Sequence, residues 1–349
     1  MSMECDVVVV GGGPAGSSAA YHLCGKGLSV VLIERLGPES FDRYHSICGA
    51  GVSRSVLKDF NIRKEEILND IDTLRVKWPG GNAINMKIDG CVIDRPKFLG
   101  RLREESVSKG LTVIKGTVDH IIMMGEQVNV MMKDLSIIRT RYVIGADGAH
   151  SIVRKCCFGT VPKIMLPVEE WHSSKDAEPN VFSFEISHDY DGYYRWVFPY
   201  AGGRCTGSIK GCAVPEEDGT RGIRIIPMGW VEEFVKKNVI LIGDAAGFPN
   251  PMTAGGLRTA LLSGRAAAEA VLAGDPSKYD SWWRKSRMSD RRFMKVHEFI
   301  ASSSDEELAE FSRHMTHKGL WTNGVHSVIC QPGKAWAYIG CLQALKFGW

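Results

Sequence analysis

The sequence lacks any apolar run of the roughly 18–20 residues needed to cross a bilayer, so nothing in it reads as a membrane span. Its apolar start does not read as a secretion signal, because Glu4 and Asp6 replace a basic segment and a Gly-Pro turn interrupts it after four valines. At a net charge of +3 there is no basic run and no alternation of basic and aromatic residues. A nucleic-acid partner is therefore not expected. Cysteines number ten, yet none forms a C-x-x-C pair, and the adjacent Cys156 and Cys157 suit neither a metal site nor an ordinary bridge. Mostly reduced, buried thiols in a cytoplasmic protein are the expectation. Internal repeats, low-complexity segments and a second nucleotide fingerprint are also missing. The 349 residues, 44% hydrophobic and 24% charged, suffice for one large α/β unit and a smaller second one.

What is present is concentrated at the start. Residues 7–10 are four consecutive valines, the pattern of a strand buried on both faces as in a parallel sheet. They run into Gly11, Gly13 and Gly16, spaced G-x-G-x-x-G at a strand-to-helix turn. Gly11 allows the tight turn, Gly13 lets a pyrophosphate approach the backbone, and Gly16 lets helix and strand pack closely. The positive end of the following helix then faces the phosphates. Glu34 closes the second strand, where an acid accepts hydrogen bonds from a ribose.

Two later stretches also bring an acid to a strand tip. Residues 141–148 read as a short buried strand ending in the turn Asp147-Gly148, with Ser151 and Arg154 beyond it. Residues 239–247 deliver Gly243 and Asp244, followed by Pro251 and by Gly255-Gly256, which open a helix over 257–272. Open α/β sheets bind ligands at the C-terminal ends of their strands. Asp244 is thus placed to hold a sugar hydroxyl, and the helix amides after Gly256 to face an electron-rich ring edge. Any one of these turns alone is a capped turn; three in this order predict a dinucleotide site.

Elsewhere the apolar spacing predicts a helix over 52–68, strands over 74–78, 84–88 and 91–93, and a helix that starts at Asp94-Arg95-Pro96 and runs to 109. Strands follow over 111–114, 118–124 and 128–132. Residues 158–228 have another texture, rich in aromatics, with strands over 181–186, 193–198 and 205–209. The expected fold class is α/β. A Rossmann-like dinucleotide unit spans 1–72, 95–157 and 229–285, an inserted antiparallel β-sheet substrate unit spans 73–94 and 158–228, and a helical region spans 286–349. In that last region, the sequence from Ser304 to Glu307 predicts a capping box. His314 and His317 share a helical face, but with no third ligand in view they read as a solvated pair and no metal is expected. Trp321, Trp336, Tyr338, Phe347 and Trp349 leave three options: membrane-interface contact, a cap on the substrate pocket, or packing on the body, the last being the leading one.

In this order the three motifs resemble the FAD-dependent hydroxylases and their reductase relatives, and within that superfamily the geranylgeranyl reductase family. Residues 192–199, Gly-Tyr-Tyr-Arg-Trp-Val-Phe-Pro, are similar to that family's Tyr-x-Trp-x-Phe-Pro signature. Residues 243–265 look like the reductase form, with Leu257 and Arg258 where hydroxylases usually carry asparagine. Tyr200 departs from the family, in which lysine is common at that place. The resemblance implies an FAD cofactor contacted by Gly11, Gly13, Pro14, Ala15, Gly16, Glu34, Arg35, Cys48, Gly49, Ala146, Asp147, Gly148, Gly243, Asp244, Gly255, Gly256 and Leu257. It further implies catalytic positions at Cys48, Tyr194 and Trp196, Cys48 being the family's loop cysteine beside the flavin.

The implied reaction is saturation of C=C bonds in an isoprenoid chain, an isoprenoid lipid or another apolar substrate. NADPH or a ferredoxin-like electron-donor protein would supply the electrons, and a peripheral membrane contact stays open. Such chemistry needs a hydride on one carbon and a proton on the other. An ordinary thiol, with a pKa of about 8.5, is mostly protonated at neutral pH and can serve as the acid. Cys48 is either that acid or a buried loop cysteine. Tyr194, Trp196 and Phe198 share strand parity and either line a pocket over the flavin or form core. Arg95 is a structural or a cofactor-contacting residue. The alternatives to a reductase are an FAD monooxygenase acting on an aromatic or apolar small molecule, and a flavin protein that relays electrons to a partner.

Overall fold

A computed structural model describes residues 2–315 and 320–348. Val7, Val8 and Val9 are fully buried in β1 (Ser2–Val10), which lies between two parallel neighbours in its sheet. The chain turns at Gly11 into α1 (Pro14–Leu23), whose first-turn proline gives up an N–H that has no helical partner anyway. It returns as β2 (Val30–Glu34), buried throughout, and α2 (Pro38–Ser46) follows.

The helix expected over 52–68 does not form. In its place stand β3 (Gly51–Ser53), the single turn α3 (Arg54–Leu57) and two 3-10 turns, Lys58–Phe60 and Lys64–Glu66. Asn61, between those turns, has a left-handed backbone with φ 46°, which no α-helix can pass through. The reason is tertiary. Arg101 is buried and donates from Nε to Glu66 Oε1 at 2.5 Å and from Nη2 to Phe60 O at 2.9 Å, so both turns fold back onto it. β4 (Ile67–Lys77) and β5 (Ala83–Ile93) then make one long hairpin, so the strands expected at 84–88 and 91–93 are a single strand. β3 and residues 67–71, which the sequence reading placed with the dinucleotide unit, hydrogen-bond to β5 instead.

Asp94 caps α4 (Arg95–Val107) by accepting the Lys97 amide at 3.1 Å. β6 (Thr112–Lys115) pairs parallel to β2. β7 (Val118–Met124) and β8 (Gln127–Met132) form a hairpin on β9 (Ile137–Gly145), which is parallel to β1, and α5 (Ile152–Cys157) follows. The chain then leaves for a second sheet through β10 (Ile164–Ser173), β11 (Val181–Glu185), β12 (Arg195–Tyr200), β13 (Gly203–Ile209) and β14 (Thr220–Met228). It rejoins the first sheet as β15 (Val235–Lys236) and β16 (Val239–Leu241). The first sheet runs β15–β16–β9–β1–β2–β6, with β7 and β8 attached through β9, and the second β14–β10–β13–β12–β11–β4–β5–β3. All neighbours in the second sheet are antiparallel except β11 and β4.

α6 (Leu257–Leu272) has the expected bounds and packs on α1 through Gly264, where a Cβ would stand 2.4 Å from Ala15 O. The chain ends in α7 (Ser277–Lys285), α8 (Arg292–Ser302), α9 (Asp305–Ser312), α10 (Leu320–Cys330) and α11 (Ala335–Phe347). The capping box forms, with Ser304 and Glu307 satisfying each other's backbone amides. Phe293, Val296, Phe311 and Tyr338 from these helices share one core with Leu74 and Val76 of β4 and with Trp78 just after it. Tyr338 stacks on Phe311 at 4.3 Å and donates to its carbonyl at 2.9 Å, so this part of the tail packs on the body. His317, the Trp321 side chain and Trp349 lie outside the described residues. Among the described residues no helix is long and apolar enough to cross a membrane.

Candidate active site

A cavity of about 710 Å³ is bordered both by Gly11 and Gly13 of the first turn and by Tyr194, Trp196 and Phe198 around β12. Of the residues singled out in the sequence, Pro14, Ala15, Glu34, Arg35, Cys48, Gly49, Ala146, Asp147, Gly148, Asp244, Gly255, Gly256 and Leu257 all border it. Gly16 and Gly243 stand behind its wall. A Cβ on Gly16 would meet Gly11 O at 1.9 Å, and one on Gly243 would meet the Ala15 methyl at 2.9 Å.

At the turn end, Gly11 has φ +100°, and a Cβ there would stand 2.4 Å from Ala146 O, so two strand tips meet as bare backbone. Glu34 is buried and orders the turn with both oxygens. Oε2 accepts the Gly12 amide at 2.7 Å and Oε1 the Leu36 amide at 2.8 Å. The Asp147 carboxylate is taken up within its own turn. It accepts from the Ser151 hydroxyl at 2.5 Å and from the Ile152 and Val153 amides at 2.7 and 3.1 Å, so it caps the start of α5. Arg154 ties two tips together, donating to Ala245 O at 2.8 Å and Ala149 O at 2.6 Å.

Asp244 behaves differently. No group among the described residues donates a hydrogen bond to its carboxylate, which borders the cavity. Burial raises its carboxyl to about 6, against the opposing pull of Arg95 and Arg154. Arg95, at the first position of α4, donates from Nε to His45 O at 2.8 Å. His45 is buried and faces Gly13, with its Cε1 3.5 Å from where a Cβ there would be. Burial, with Arg95, Arg224 and Arg103 nearby, pushes its imidazole down to about 2, so it stands neutral beside the turn. Sequence reasoning missed His45, because nothing local marks a histidine in the last turn of a short helix as a cavity residue. For Arg95 the only signal was its place after a helix-capping aspartate.

The loop carrying Cys48 is seated on the second sheet by glycine notches. A Cβ on Gly49 would meet the Phe198 ring at 2.8 Å, one on Gly51 the Phe182 ring at 2.6 Å, and one on Gly222 the Ile47 side chain at 1.8 Å. Tyr200, at the place where the family often carries lysine, donates to Ser46 O at 3.0 Å and anchors the loop's start. Cys48 is half-buried; its Sγ accepts the Ala50 amide at 3.3 Å and borders the cavity. Tyr194, just before β12, donates to Thr253 O in the loop that leads to Gly255. Its ring lies 6.1 Å from Trp196, and Phe198 lies 4.3 Å from Phe182. The three aromatics line the cavity and also pack against three different core clusters, so wall and core coincide.

Comparison with known proteins places this architecture. Residues 6–170 match the family description "Lycopene cyclase protein". The geranylgeranyl diphosphate reductase of Rhodobacter capsulatus is 30% identical over 308 residues, covering 78% of this chain and 76% of its own. Digeranylgeranylglycerophospholipid reductase 2 of Methanopyrus kandleri is 29% identical over 359 residues, covering 88% of this chain and 89% of its own. Among solved structures, a geranylgeranyl bacteriochlorophyll reductase-like protein of Thermoplasma acidophilum superposes with a TM-score of 0.78 at 23% identity over 99% of each chain. A flavin-dependent brominase shares the fold with a TM-score of 0.70 at 20% identity, over 99% of each chain. With a 30%-identical relative spanned over three quarters of its length, the chain belongs to the geranylgeranyl reductase family.

Proposed function

We propose that this cavity holds FAD and that the chain is an FAD-dependent reductase saturating C=C bonds of an isoprenoid chain or isoprenoid lipid. The observation that carries the reading is one continuous cavity joining a phosphate-type turn to an apolar chamber lined by Leu74, Val76, Trp78, Phe184, Ile186 and Met252. The residues present fit the cofactor: no side chain at Gly11, where the turn meets the Ala146 backbone, an Asp244 carboxylate with no donor among the described residues, and a volume within the usual 300–1,000 Å³ of ligand sites. Gly11, Gly13, Pro14, Ala15 and Arg35 would hold the pyrophosphate and Glu34 the adenosine ribose. Asp244 would take the ribityl hydroxyls, and Gly255, Gly256 and Leu257 the ring edge.

When bound and reduced, FAD supplies a hydride to one alkene carbon. The chain's own task is to lay an apolar substrate along the chamber, keep water out and place a proton at the other carbon. In this reading Cys48 Sγ gives up that proton, and the thiolate left behind is reprotonated from solvent as the product leaves. Each saturated bond gains two hydrogens, one from each source. Trp196 and Phe198 shape the wall facing the Cys48 loop, and the Tyr194 hydroxyl, held on Thr253 O, positions the strand-to-helix loop at Gly255. Electrons would arrive from a transiently docked donor, NADPH or a ferredoxin. Val325, Ile329, Trp336 and Ile339 are exposed on α10 and α11, which supports peripheral contact with a bilayer that holds a prenyl lipid.

Mixing photoreduced, anaerobic enzyme with a geranylgeranyl lipid should restore oxidised-flavin absorbance and add two hydrogens per bond, read by mass spectrometry. A need for oxygen together with a product that gains an oxygen atom would make it a monooxygenase. Flavin oxidation by a protein acceptor alone would make it a relay.

Asp244 provides a pH test. The fold without ligand keeps this proton up to about 6, while an unfolded chain releases it near 3.8. The ligand-free protein therefore loses stability as pH rises from about 4 to about 6. Ribityl hydroxyls donate best to the ionised carboxylate, so FAD should bind more tightly as pH climbs through that window. Flavin-fluorescence titrations should show this, and Asp244→Asn should flatten the dependence.

A further inference from the structure

α9 runs into the 3-10 turn Arg313–Met315, and α10 comes back beside it. Each side contributes a pair of metal-type side chains four residues apart: Glu310 and His314 on one, His326 and Cys330 on the other. The ligating atoms of His314, His326 and Cys330 all lie within 4.8 Å of one another. His314 Nε2 is 4.0 Å from Glu310 Oε1, and Cys330 Sγ is 3.6 Å from His326 Nε2. Tetrahedral zinc, with bonds of about 2.0–2.3 Å, separates its ligands by about 3.3–3.8 Å. Bringing the His314, His326 and Cys330 atoms to those separations thus needs side-chain adjustments on the order of 1 Å, within rotamer reach on a half-exposed surface.

The surroundings favour ligation as well. His326 Nδ1 lies 3.3 Å from His314 O, a carbonyl that also accepts the Ser327 hydroxyl at 2.9 Å. An Nδ1–H donated to a backbone carbonyl leaves Nε2 as the lone-pair nitrogen and fixes the ring, as second-shell partners of metal-binding histidines do. The sequence alone offered His314 with His317 and no third ligand. The fold brings His314 near His326 and Cys330.

We propose that His314, His326 and Cys330 bind one zinc-type divalent cation that staples the end of α9 to α10, with the fourth position taken by water or by Glu310 beside His314. The thiol proton of Cys330 leaves to solvent as the metal–sulfur bond forms, and no redox partner is involved. α10 leads into α11, whose Leu345 borders the cavity, so the staple would brace one wall of the chamber. The inference stands apart from the flavin reading.

The test uses full-length protein, stripped of metal with a chelator and titrated with Co²⁺. One equivalent should bind with thiolate-to-cobalt charge-transfer absorption, release one proton per metal and be displaced by Zn²⁺. Cys330→Ser should abolish the charge-transfer band, and His326→Ala should weaken binding by at least about 10–100-fold, the range seen even for outer-shell losses. Glu170, His172 and Cys205 form a second, buried cluster of ligand atoms, so Cys205→Ser is the necessary control, with Cys205→Ala in reserve should serine unfold the core. A band that survives in Cys330→Ser, a band lost with either Cys205 variant, or no thiolate band at one equivalent overturns the proposal.

Discussion

Cys48→Ser is expected to leave flavin content unchanged and to lower turnover on a prenyl substrate by about 10²–10⁴-fold, the usual contribution of a positioned general acid. Serine is nearly the same size and keeps the acceptor for the Ala50 amide that now reaches Sγ at 3.3 Å, so the loop should stay seated. What changes is acidity, since an alcohol releases its proton far less readily than a thiol. The loop itself depends on Gly49 and Gly51 against the Phe198 and Phe182 rings, and the substitution leaves those contacts alone. The measurement is stopped-flow reoxidation of anaerobically reduced enzyme by substrate, alongside bound-flavin absorbance. Turnover within about twofold of the parent would remove Cys48 from proton transfer and return it to the plain role of a buried loop thiol.

Gly16→Ala should yield protein that is colourless or fails to fold. The added Cβ would stand 1.9 Å from Gly11 O and 3.0 Å from Gly11 C, backbone atoms that cannot yield without opening the strand-to-helix turn. A clash of that kind belongs to the rare substitutions that cost more than about 4 kcal/mol. Gly13→Ala separates cofactor from fold. Its Cβ meets nothing nearer than His45 Cε1 at 3.5 Å, and its φ of −67° suits alanine. It should therefore melt within a few degrees of the ligand-free parent yet lose FAD, because the methyl group occupies the pyrophosphate's approach. Thermal melts of flavin-free samples and equilibrium dialysis with FAD check the pair. Full flavin content in Gly16→Ala would contradict the packing described for this turn, and full content in Gly13→Ala would move the pyrophosphate elsewhere.

Legibility differed by element for physical reasons. The bounds of α6, the cap at Asp94 and the Ser304–Glu307 box were readable because short-range backbone needs dictate them. Over 52–68 the apolar spacing of Val56, Leu57 and Phe60 fits a helical face, yet the buried Arg101–Glu66 pair draws the segment into separate turns. Periodicity sees neighbours along the chain, and a guanidinium 35 residues away is invisible to it. Asp147 shows the converse, because its motif was legible while the use of its carboxylate, as a cap for α5, depended on which amides stood nearest.

The sequence by itself determined the phosphate-type turn and the acid-bearing strand tips. Positive φ, missing Cβ atoms and helix-end amides are demands met by residues within a few positions of one another. Only the tertiary structure decided what those tips face. His45 beside Gly13, Ile47 in the notch of Gly222, Tyr194 on the Thr253 carbonyl and His314 near Cys330 all join residues distant in the chain. Such meetings follow from elements far apart in the chain packing together to bury apolar faces, a drive with no direction of its own, whose geometry is set by the shape of everything packed at once.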